Sequence, residues 1–236
     1  MDISVVIEYF PRLLEGAWVS LQLVALSIVL GGAFALPIAL ARISPVAWIR
    51  AIPFAYIFFF RGTPLLVQIF LVYYGASQFD AVRESMFWPI LREPFWCAII
   101  AFTLNTSAYT AEIFRGAIQA IPRGEVDACK VVGMTRVQMY RRVLLPRGFG
   151  IVLPAYGNEI ILMLKGSALA STITILDLTG MARTIIARTY TPMEIFIAAG
   201  AIYLIISIVI IAIFRQIELR QNRYLGTLSI KVPDKG

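Results

Sequence analysis

The chain has no histidine, only two cysteines and few charged residues, and each scarcity excludes a class of function. Its 236 residues are 59% hydrophobic and 15% charged, and the mean hydropathy is +0.80. Without histidine, the sequence lacks the commonest general base and metal ligand. Cys97 and Cys129 lie in an apolar stretch and in a charged loop, so they predict no disulfide framework. The composition is too apolar for an ordinary soluble domain.

The sequence also lacks a nucleotide site and a visible internal repeat. The phosphate-binding pattern G-x-x-x-x-G-K-[ST] does not occur, so any ATPase that drives this protein must be another chain. Transport sites commonly lie between two repeats of one fold. A chain with a single copy is therefore expected to find its second half in a partner subunit.

Long hydrophobic stretches are abundant, and they predict an all-α integral membrane protein with five transmembrane helices. A span needs about 20 apolar residues. The predicted spans are 17–41, 51–77, 95–114, 148–176 and 195–214. The first should be retained, because it is too long for a signal peptide and no basic region precedes it. We predict a transmembrane domain over 17–215, an outer N-terminal segment 1–16 and a cytoplasmic tail 216–236.

The distribution of lysine and arginine predicts the orientation of these spans. Of the 21 basic residues, 14 fall on the side that carries the 42–50 loop, the 115–147 loop and the C-terminal tail, and five fall on the opposite side. The side richer in basic residues is cytoplasmic by the positive-inside rule. The N-terminus is therefore expected outside, and the net charge of +7 indicates topology rather than nucleic-acid binding.

The charged loop 115–147 predicts two short helices around a sharp turn. Glu125 and Asp127 suit the positive end of a first helix, and Gly133 can adopt the left-handed conformation that ends it. Such a helical pair outside the membrane is a candidate docking element for another protein.

The second of these helices has start and stop signals of its own. Thr135 and Gln138 match a capping box, and Pro146 is predicted to follow the end of the helix. We therefore expect the second docking helix to end before the fourth membrane span begins.

The segment Arg61-Gly62-Thr63-Pro64 interrupts the second predicted span. Glycine can end one helix, threonine can cap the next and proline suits its first position. Two interpretations remain open. The break lies at membrane depth, where the restarted helix, Arg61 and the nearby Gln68 would face an anionic substrate group; or 48–60 forms an elbow helix at the cytoplasmic interface.

Polar residues in the fourth predicted span are candidates for the substrate path. Asn158 and Lys165 are seven residues apart and share a helix face, with Glu159 adjacent. Charged residues within spans usually face a cavity or a partner, because a charge in hydrocarbon costs about 2.5–3.5 kcal/mol. Small neighbours on this helix would allow close helix approach: Gly157, Gly166, Ala168 and Ala170. The alternative is an internal ion pair from Glu159 to Lys165 or Arg61 that only holds the bundle.

The loop also carries a spaced pattern that resembles a known one. ABC importer permeases have E-A-A, three residues, Gly, nine residues, Ile, one residue and Leu-Pro. Here the positions are Asp127-Ala128-Cys129, Gly133, Val143 and Leu145-Pro146. The spacing matches throughout, and three residues differ conservatively. The resemblance implies that Glu125, Asp127, Ala128, Gly133, Leu145 and Pro146 couple this chain to an ATPase.

Longer segments resemble permeases of the polar amino acid group, especially the M-type permease of histidine, lysine, arginine and ornithine importers and of octopine and nopaline importers. The segments are RGTPLLVQIFLVYYG, TLNTSAYTAEIFRGAI, AYGNEIILMLKGSAL and TYTP. The resemblance implies a type I importer permease fold in the bacterial inner membrane. It also implies three partners: a homologous second permease, two copies of an ATPase that binds ATP and Mg, and a periplasmic binding protein.

Two other classes of function stay open on the residues alone. A self-contained secondary transporter or channel would show an inverted repeat and would need no docking loop. A membrane enzyme would need a nucleophile or metal motif, and the sequence offers neither. We expect no cofactor and no metal site in this chain. The favoured function is a permease subunit that translocates a polar, basic amino acid or an opine.

Overall fold

A computed structural model describes residues 3–226, and within this range the chain is helical with no strand. Four long helices form its frame: α1 (Ile3–Arg42), α6 (Pro94–Gln119), α9 (Leu145–Ser167) and α11 (Pro192–Gly226). The remaining helices are α2 (Ala47–Gly62), α3 (Leu65–Phe70), α4 (Asp80–Arg83), α5 (Trp88–Leu91), α7 (Arg123–Val131), α8 (Arg136–Met139) and α10 (Leu178–Thr189). A π turn, Leu71–Gly75, prolongs α3.

Two helices are long and apolar enough to cross a membrane by themselves, namely Ser4–Arg42 and Pro192–Gln221. Two further candidates are bent pairs, α2 with the α3 segment at 106° and the segment Arg136–Ile173 with α10 at 49°. The count of five spans therefore remains a prediction. The third predicted span, 95–114, lies within α6, which is long enough but too polar to stand among these candidates.

The polar composition of α6 follows from its central position. It packs along α1 and also against α2, α3 and α9. Its buried side chains include hydroxyl and amide groups at Thr103, Asn105, Thr106, Ser107 and Thr110. Because other helices surround these groups, they need not meet lipid, and they can hydrogen-bond to neighbouring helices.

Several predicted boundaries differ from the observed ones. The N-terminal segment 1–16 is helical from Ile3 onwards, as part of α1. The last helix continues to Gly226, beyond the predicted end at 214. The part of the predicted tail from 227 to 236 lies outside the described residues.

A short helix between the fourth and fifth predicted spans was not predicted. The fourth span ends as a turn of 3-10 helix, Ala168–Ile173, and α10 then begins. Asp177 starts α10, because its carboxylate accepts hydrogen bonds from Thr179 N at 3.2 Å and Gly180 N at 3.1 Å. This aspartate is fully buried and also accepts a bond from the Tyr203 hydroxyl at 3.3 Å. An N-cap aspartate before an apolar pattern was the available signal.

The prediction that Pro146 follows the end of a docking helix is wrong. The chain stays helical from Arg136 to Ile173, through α8, a π turn over Tyr140–Leu144 and α9. Pro146 lies in the first turn of α9, where a missing backbone N–H is tolerated because the preceding π turn interrupts the regular bonding. Its carbonyl accepts a bond from Gln221 Nε2 at 3.0 Å.

The helices α1 and α6 pack tightly against each other at Gly31. A side chain added there would overlap the Thr106 methyl group and approach Ser107 N to 3.3 Å. We expect Gly31→Leu to force these helices apart, at a cost of about 1–3 kcal/mol from overpacking. The measurement is the thermal unfolding midpoint of the purified importer.

Gly200→Leu is the matched control, because Gly200 lies in α11, is exposed, and has nothing within 4 Å of an added side chain. An equal midpoint for both variants would contradict the close packing of α1 and α6.

Candidate functional site

The helix break at 61–64 is present, with a sharp change of direction. α2 ends at Gly62 and α3 begins at Leu65. The prediction that Thr63 caps α3 is wrong. Its hydroxyl donates back to the Phe59 carbonyl of α2 at 2.8 Å, and α3 has no side-chain cap. The hydroxyl is already engaged at the end of the preceding helix, so it is not available to the next.

Gln68 of α3 bonds to the C-terminal end of α2 and so holds the two sides of the break together. Its Nε2 donates to the Phe60 carbonyl at 2.9 Å and to the Thr63 hydroxyl at 2.8 Å. Its Oε1 accepts from Asn105 Nδ2 on α6 at 2.9 Å. Gln68 and Asn105 are both buried, so these bonds satisfy polar groups that lipid could not.

Glu159 lies on the opposite side of the same region, on α9. It is 5% exposed, and its Oε1 accepts a hydrogen bond from Thr106 Oγ1 on α6 at 3.0 Å. Among residues 3–226 it forms no ion pair, so the alternative of a bridge to Lys165 or Arg61 is wrong. Both cations point elsewhere.

A pocket of about 300 Å³ lies between the helix break, α6 and α9. Thr63, Asn105, Tyr109 and Glu159 supply its polar lining, and apolar side chains supply the rest. This volume is at the lower end of the range for small-molecule sites. The structure therefore gathers Thr63 and Glu159 around one cavity, with Gln68 positioning its wall.

Arg61 was grouped with these residues, but it faces a neighbouring pocket. Its guanidinium carbon lies 5.1 Å from the ring centroid of Tyr109, and its Nη1 lies 4.0 Å from Glu112 Oε2. Glu112 also receives hydrogen bonds of 2.6–2.9 Å from Arg115. Arg61 therefore lies beside the pocket of Thr63 and Glu159 and does not line it, because it packs against Tyr109 and Glu112.

Asn158 and Lys165 share an exposed face of α9, as their spacing predicts, and Leu162 lies between them on that face. The small residues serve contacts within the chain instead. Gly157 abuts the Phe214 ring, which lies 2.9 Å from where a side chain would begin, and Gly166 abuts Leu65 at 3.0 Å. Asn158 and Lys165 thus face away from the described part of the chain, whereas Glu159 faces inward.

The predicted turn in the loop is present in detail. Gly133 has φ of +73°, and it ends α7 with paired bonds from Gly133 N to Lys130 O and from Met134 N to Cys129 O, each 3.0 Å. This is a Schellman motif. The geometry confirms Gly133 as the left-handed stop.

The capping box at the start of α8 is also present. Thr135 Oγ1 accepts from Gln138 N at 3.3 Å, and Gln138 Oε1 accepts from Thr135 N at 3.0 Å. The glycine stop at Gly133 and the capping box of Thr135 and Gln138 are both confirmed, and each depends only on residues that are neighbours in the sequence.

The acidic residues of the loop have separate roles. Glu125 is in the first turn of α7 and pairs with Arg147 of α9 at 3.4 Å, which ties the loop to the membrane helix. Asp127 is exposed and accepts a hydrogen bond from Lys130 Nζ at 2.8 Å, which lowers the pKa of the Asp127 carboxyl below its ordinary value. It therefore stays charged well below neutral pH.

Sequence reasoning missed an apolar patch on this loop. Val131 is 87% exposed, Val132 68% and Val137 73%, beside the exposed Ala128. Exposed valines in a charged, water-facing segment indicate a contact surface. Leu145 is also exposed. The valines surround Gly133 in the sequence, so the turn places them together.

Sequence reasoning also missed three functional candidates on α6. Asn105 and Tyr109 line the pocket, and Glu112 lies one turn further on. Their spacing of four and three residues puts them on one helix face, and this spacing was the available signal.

Comparison with known proteins matches these features to one family. Residues 27–223 match the family model described as binding-protein-dependent transport system inner membrane component. The chain is 46% identical over 225 residues to the octopine transport system permease protein OccM of Rhizobium radiobacter, covering 93% of this chain and 92% of OccM. It is 42% identical to the histidine/lysine/arginine/ornithine permease protein HisM of Escherichia coli K12, covering 92% and 95%.

The fold has a close counterpart among solved structures. A crystal structure of an amino acid ABC transporter with histidines superposes with a TM-score of 0.83 at 35% identity, over 93% of this chain and 99% of that one. The methionine ABC transporter MetNI in an inward-facing conformation gives 0.72 at 19% identity, which shows the fold alone. The alternatives of a secondary transporter, a channel or a membrane enzyme are thereby set aside. The chain belongs to the family of inner membrane components of binding-protein-dependent transport systems, and it is a permease subunit of an ABC importer rather than an enzyme.

Proposed function

We propose that this permease subunit moves a polar, basic amino acid or an opine from the periplasm to the cytoplasm. One observation carries the proposal: Glu159 is the only carboxylate among the described residues that line the 300 Å³ pocket, and no lysine or arginine of residues 3–226 forms an ion pair with it, since Arg61 lies against Glu112. A buried acid in a polar pocket favours a cationic ligand group, because an unpaired charge is costly at membrane depth. The names of the relatives agree, since they include octopine, nopaline, histidine and arginine permeases.

Ligand polarity is matched by the neutral lining of the pocket. The side-chain oxygens of Asn105 and Thr63 can accept hydrogen bonds from an amino acid's N–H groups, and the Tyr109 ring offers a face for a guanidinium or imidazolium group. The acid would set charge preference, and the neutral groups would set orientation.

The proposed topology has five spans, with the N-terminus outside and the C-terminus in the cytoplasm. The 14 basic residues on one side support it. In this arrangement α2 is the elbow helix at the cytoplasmic interface. Two observations favour the elbow over a break at membrane depth: the 106° bend, and the exposed aromatic and aliphatic residues Trp48, Ile52 and Phe58 along α2.

Coupling to ATP hydrolysis is proposed to act through the loop around Gly133. Asp127, Ala128 and the exposed valines would enter a groove on the ATPase, which binds ATP and Mg in place of this chain. Because the chain stays helical from α8 through the π turn into α9, movement of the loop would displace the helix that carries Glu159. Leu145 and Pro146 lie at the junction that transmits the movement.

Four kinds of partner complete the proposed importer: a homologous second permease, two ATPase copies, a periplasmic binding protein and membrane lipid. The exposed face of α9 is where the second permease is proposed to pack. Asn158 and Lys165 on this face need a polar counterpart, and the substrate path would run along the pseudo-two-fold axis between the permeases.

The role of Glu159 can be tested by Glu159→Gln, which keeps the hydrogen bond from Thr106 and removes the charge. We expect uptake of labelled arginine into proteoliposomes to fall about tenfold or more, because one charge-assisted contact contributes about 1.5–3 kcal/mol. Uptake should be measured with a panel of arginine, histidine and opines.

Two controls separate charge from assembly. Size-exclusion chromatography should show that the Glu159→Gln complex is intact. Thr106→Val removes the hydroxyl group that donates to Glu159 and leaves the carboxylate of Glu159 in place. An intact Glu159→Gln complex with parental kinetics for every cationic substrate would refute the proposed role of the carboxylate.

Coupling can be tested at Gly133, where nothing lies within 4 Å of an added side chain. Within this chain, Gly133→Val therefore acts through backbone conformation, since a branched residue tolerates positive φ poorly. We expect ATPase co-purification and transport to fall together while membrane insertion persists.

Gly133→Asn should retain more activity, because asparagine adopts the left-handed conformation more readily. Gly124→Val is the matched control in the same loop, with open space and ordinary φ. Parental transport by Gly133→Val would show that the loop does not dock as proposed.

Assembly predicts a heterodimer. Expressed with an ATPase and a binding protein but without a second permease, this chain should be inactive, because the polar face of α9 then has no polar surface to pack against. Addition of the homologous permease should restore uptake. Full activity without that second permease would establish a homodimer instead.

A further inference from the structure

A second pocket, of about 380 Å³, lies on the other side of the helix break from the substrate pocket. It is enclosed by the C-terminal end of α1, by α2 and by α6. Arg42, Arg61 and Glu112 line its polar part, and Phe54 and Phe58 line its apolar part. It shares Tyr109 with the substrate pocket, and no step of the proposed transport mechanism uses Arg42 or Glu112.

The polar part carries a surplus of positive charge. Glu112 is approached by three guanidinium groups, from Arg42 at 3.9 Å, Arg61 at 4.0 Å and Arg115 at 2.6 Å. Only Arg115 makes hydrogen bonds to it. One carboxylate cannot neutralise three cations, so two positive charges remain. The Arg42 Nε is buried and, within the described range, has no hydrogen-bond acceptor.

The apolar part continues onto an exposed helix surface. Phe54 and Phe58 are each at least half exposed, and Trp48 and Ile52 of the same helix are also exposed. The Arg42 guanidinium carbon lies 4.8 Å from the Phe54 ring centroid. A helix with aromatic residues outward and a cationic pocket beside it is typical of segments that lie in the membrane interface.

From these observations we infer that this pocket binds the phosphate of an anionic phospholipid. Arg42 and Arg61 donate to the phosphate oxygens, since guanidinium groups suit phosphate geometry, and the acyl chains run outward along Phe54 and Phe58. The inference takes the cytoplasmic position of α2 from the proposed function, because that leaflet holds the anionic lipids.

Phosphate in solution would use the same donors, but the aromatic half of the pocket favours a lipid. A free phosphate ion gains nothing from Phe58, which is 71% exposed, whereas an acyl chain covers it. The two sources can therefore be separated by experiment.

The test measures lipid retained by the assembled importer in native mass spectrometry, and its thermal midpoint in detergent. Phosphatidylglycerol, phosphatidylcholine and inorganic phosphate are added at equal concentrations. We expect saturable binding and stabilisation with phosphatidylglycerol alone. Arg42→Gln should weaken this binding about tenfold, as for loss of one charge-assisted hydrogen bond.

Phe58→Ala leaves the arginines and Glu112 intact, so it tests the lipid contact even if Arg42→Gln destabilises the fold. It should also weaken binding. Arg50→Gln is the matched control, because Arg50 is an exposed arginine of α2 outside the pocket, and it should bind like the parent.

Three outcomes would overturn the inference: equal effects of the two lipids, the full effect with inorganic phosphate alone, or parental binding by both Arg42→Gln and Phe58→Ala. Lipid retention is measured without any transport assay. A negative result for lipid binding can therefore be distinguished from a negative result for arginine uptake.

Discussion

The fold depends on one constraint, which is that the polar groups of α6 must be surrounded by protein rather than by lipid. The helix is too polar to stand as an autonomous span, so other helices have to surround it. Two side-chain bonds tie α6 to its neighbours at the candidate site, from Asn105 to Gln68 at 2.9 Å and from Thr106 to Glu159 at 3.0 Å. They join α6 to α3 and α9, and one member of each pair, Asn105 or Glu159, also lines the pocket. The packing and the proposed site therefore depend on the same contacts.

Local features of the fold could be predicted from the sequence because neighbouring residues determine them. The left-handed turn at Gly133, the capping box of Thr135 and Gln138, and the helix end at Gly62 are of this kind. Non-local features could not be predicted in this way. Arg61 pairs with Glu112, 51 positions along the chain, and α10 depends on the burial of Asp177. Thr63 was misassigned because Gln68 competes for its hydroxyl.

The candidate site was predicted in part for the same reason. Spacing along α9 identified the exposed pair Asn158 and Lys165, but it could not tell that Glu159 turns inward to Thr106. The spacing of residues shows which side chains share a helix face, but it does not show which other helix packs against that face. The residues of α6 were passed over because a hydrophobic count treats Asn105 as a defect in a span. In the folded chain it is part of the pocket wall.

The π turn over Tyr140–Leu144 has a geometric consequence for the whole length of the helix that follows. A π turn contains one more residue than the α-helical turn it replaces, and each residue of an α-helix advances the helix by about 100°. Loss of a single residue from this turn would therefore leave α8 and α9 helical but rotate one against the other. The proposed docking surface around Gly133 and the Glu159 side chain would then no longer keep their present orientation relative to each other. The number of residues in this π turn therefore sets the rotation of α8 relative to α9 about the helix axis, more than the distance between them.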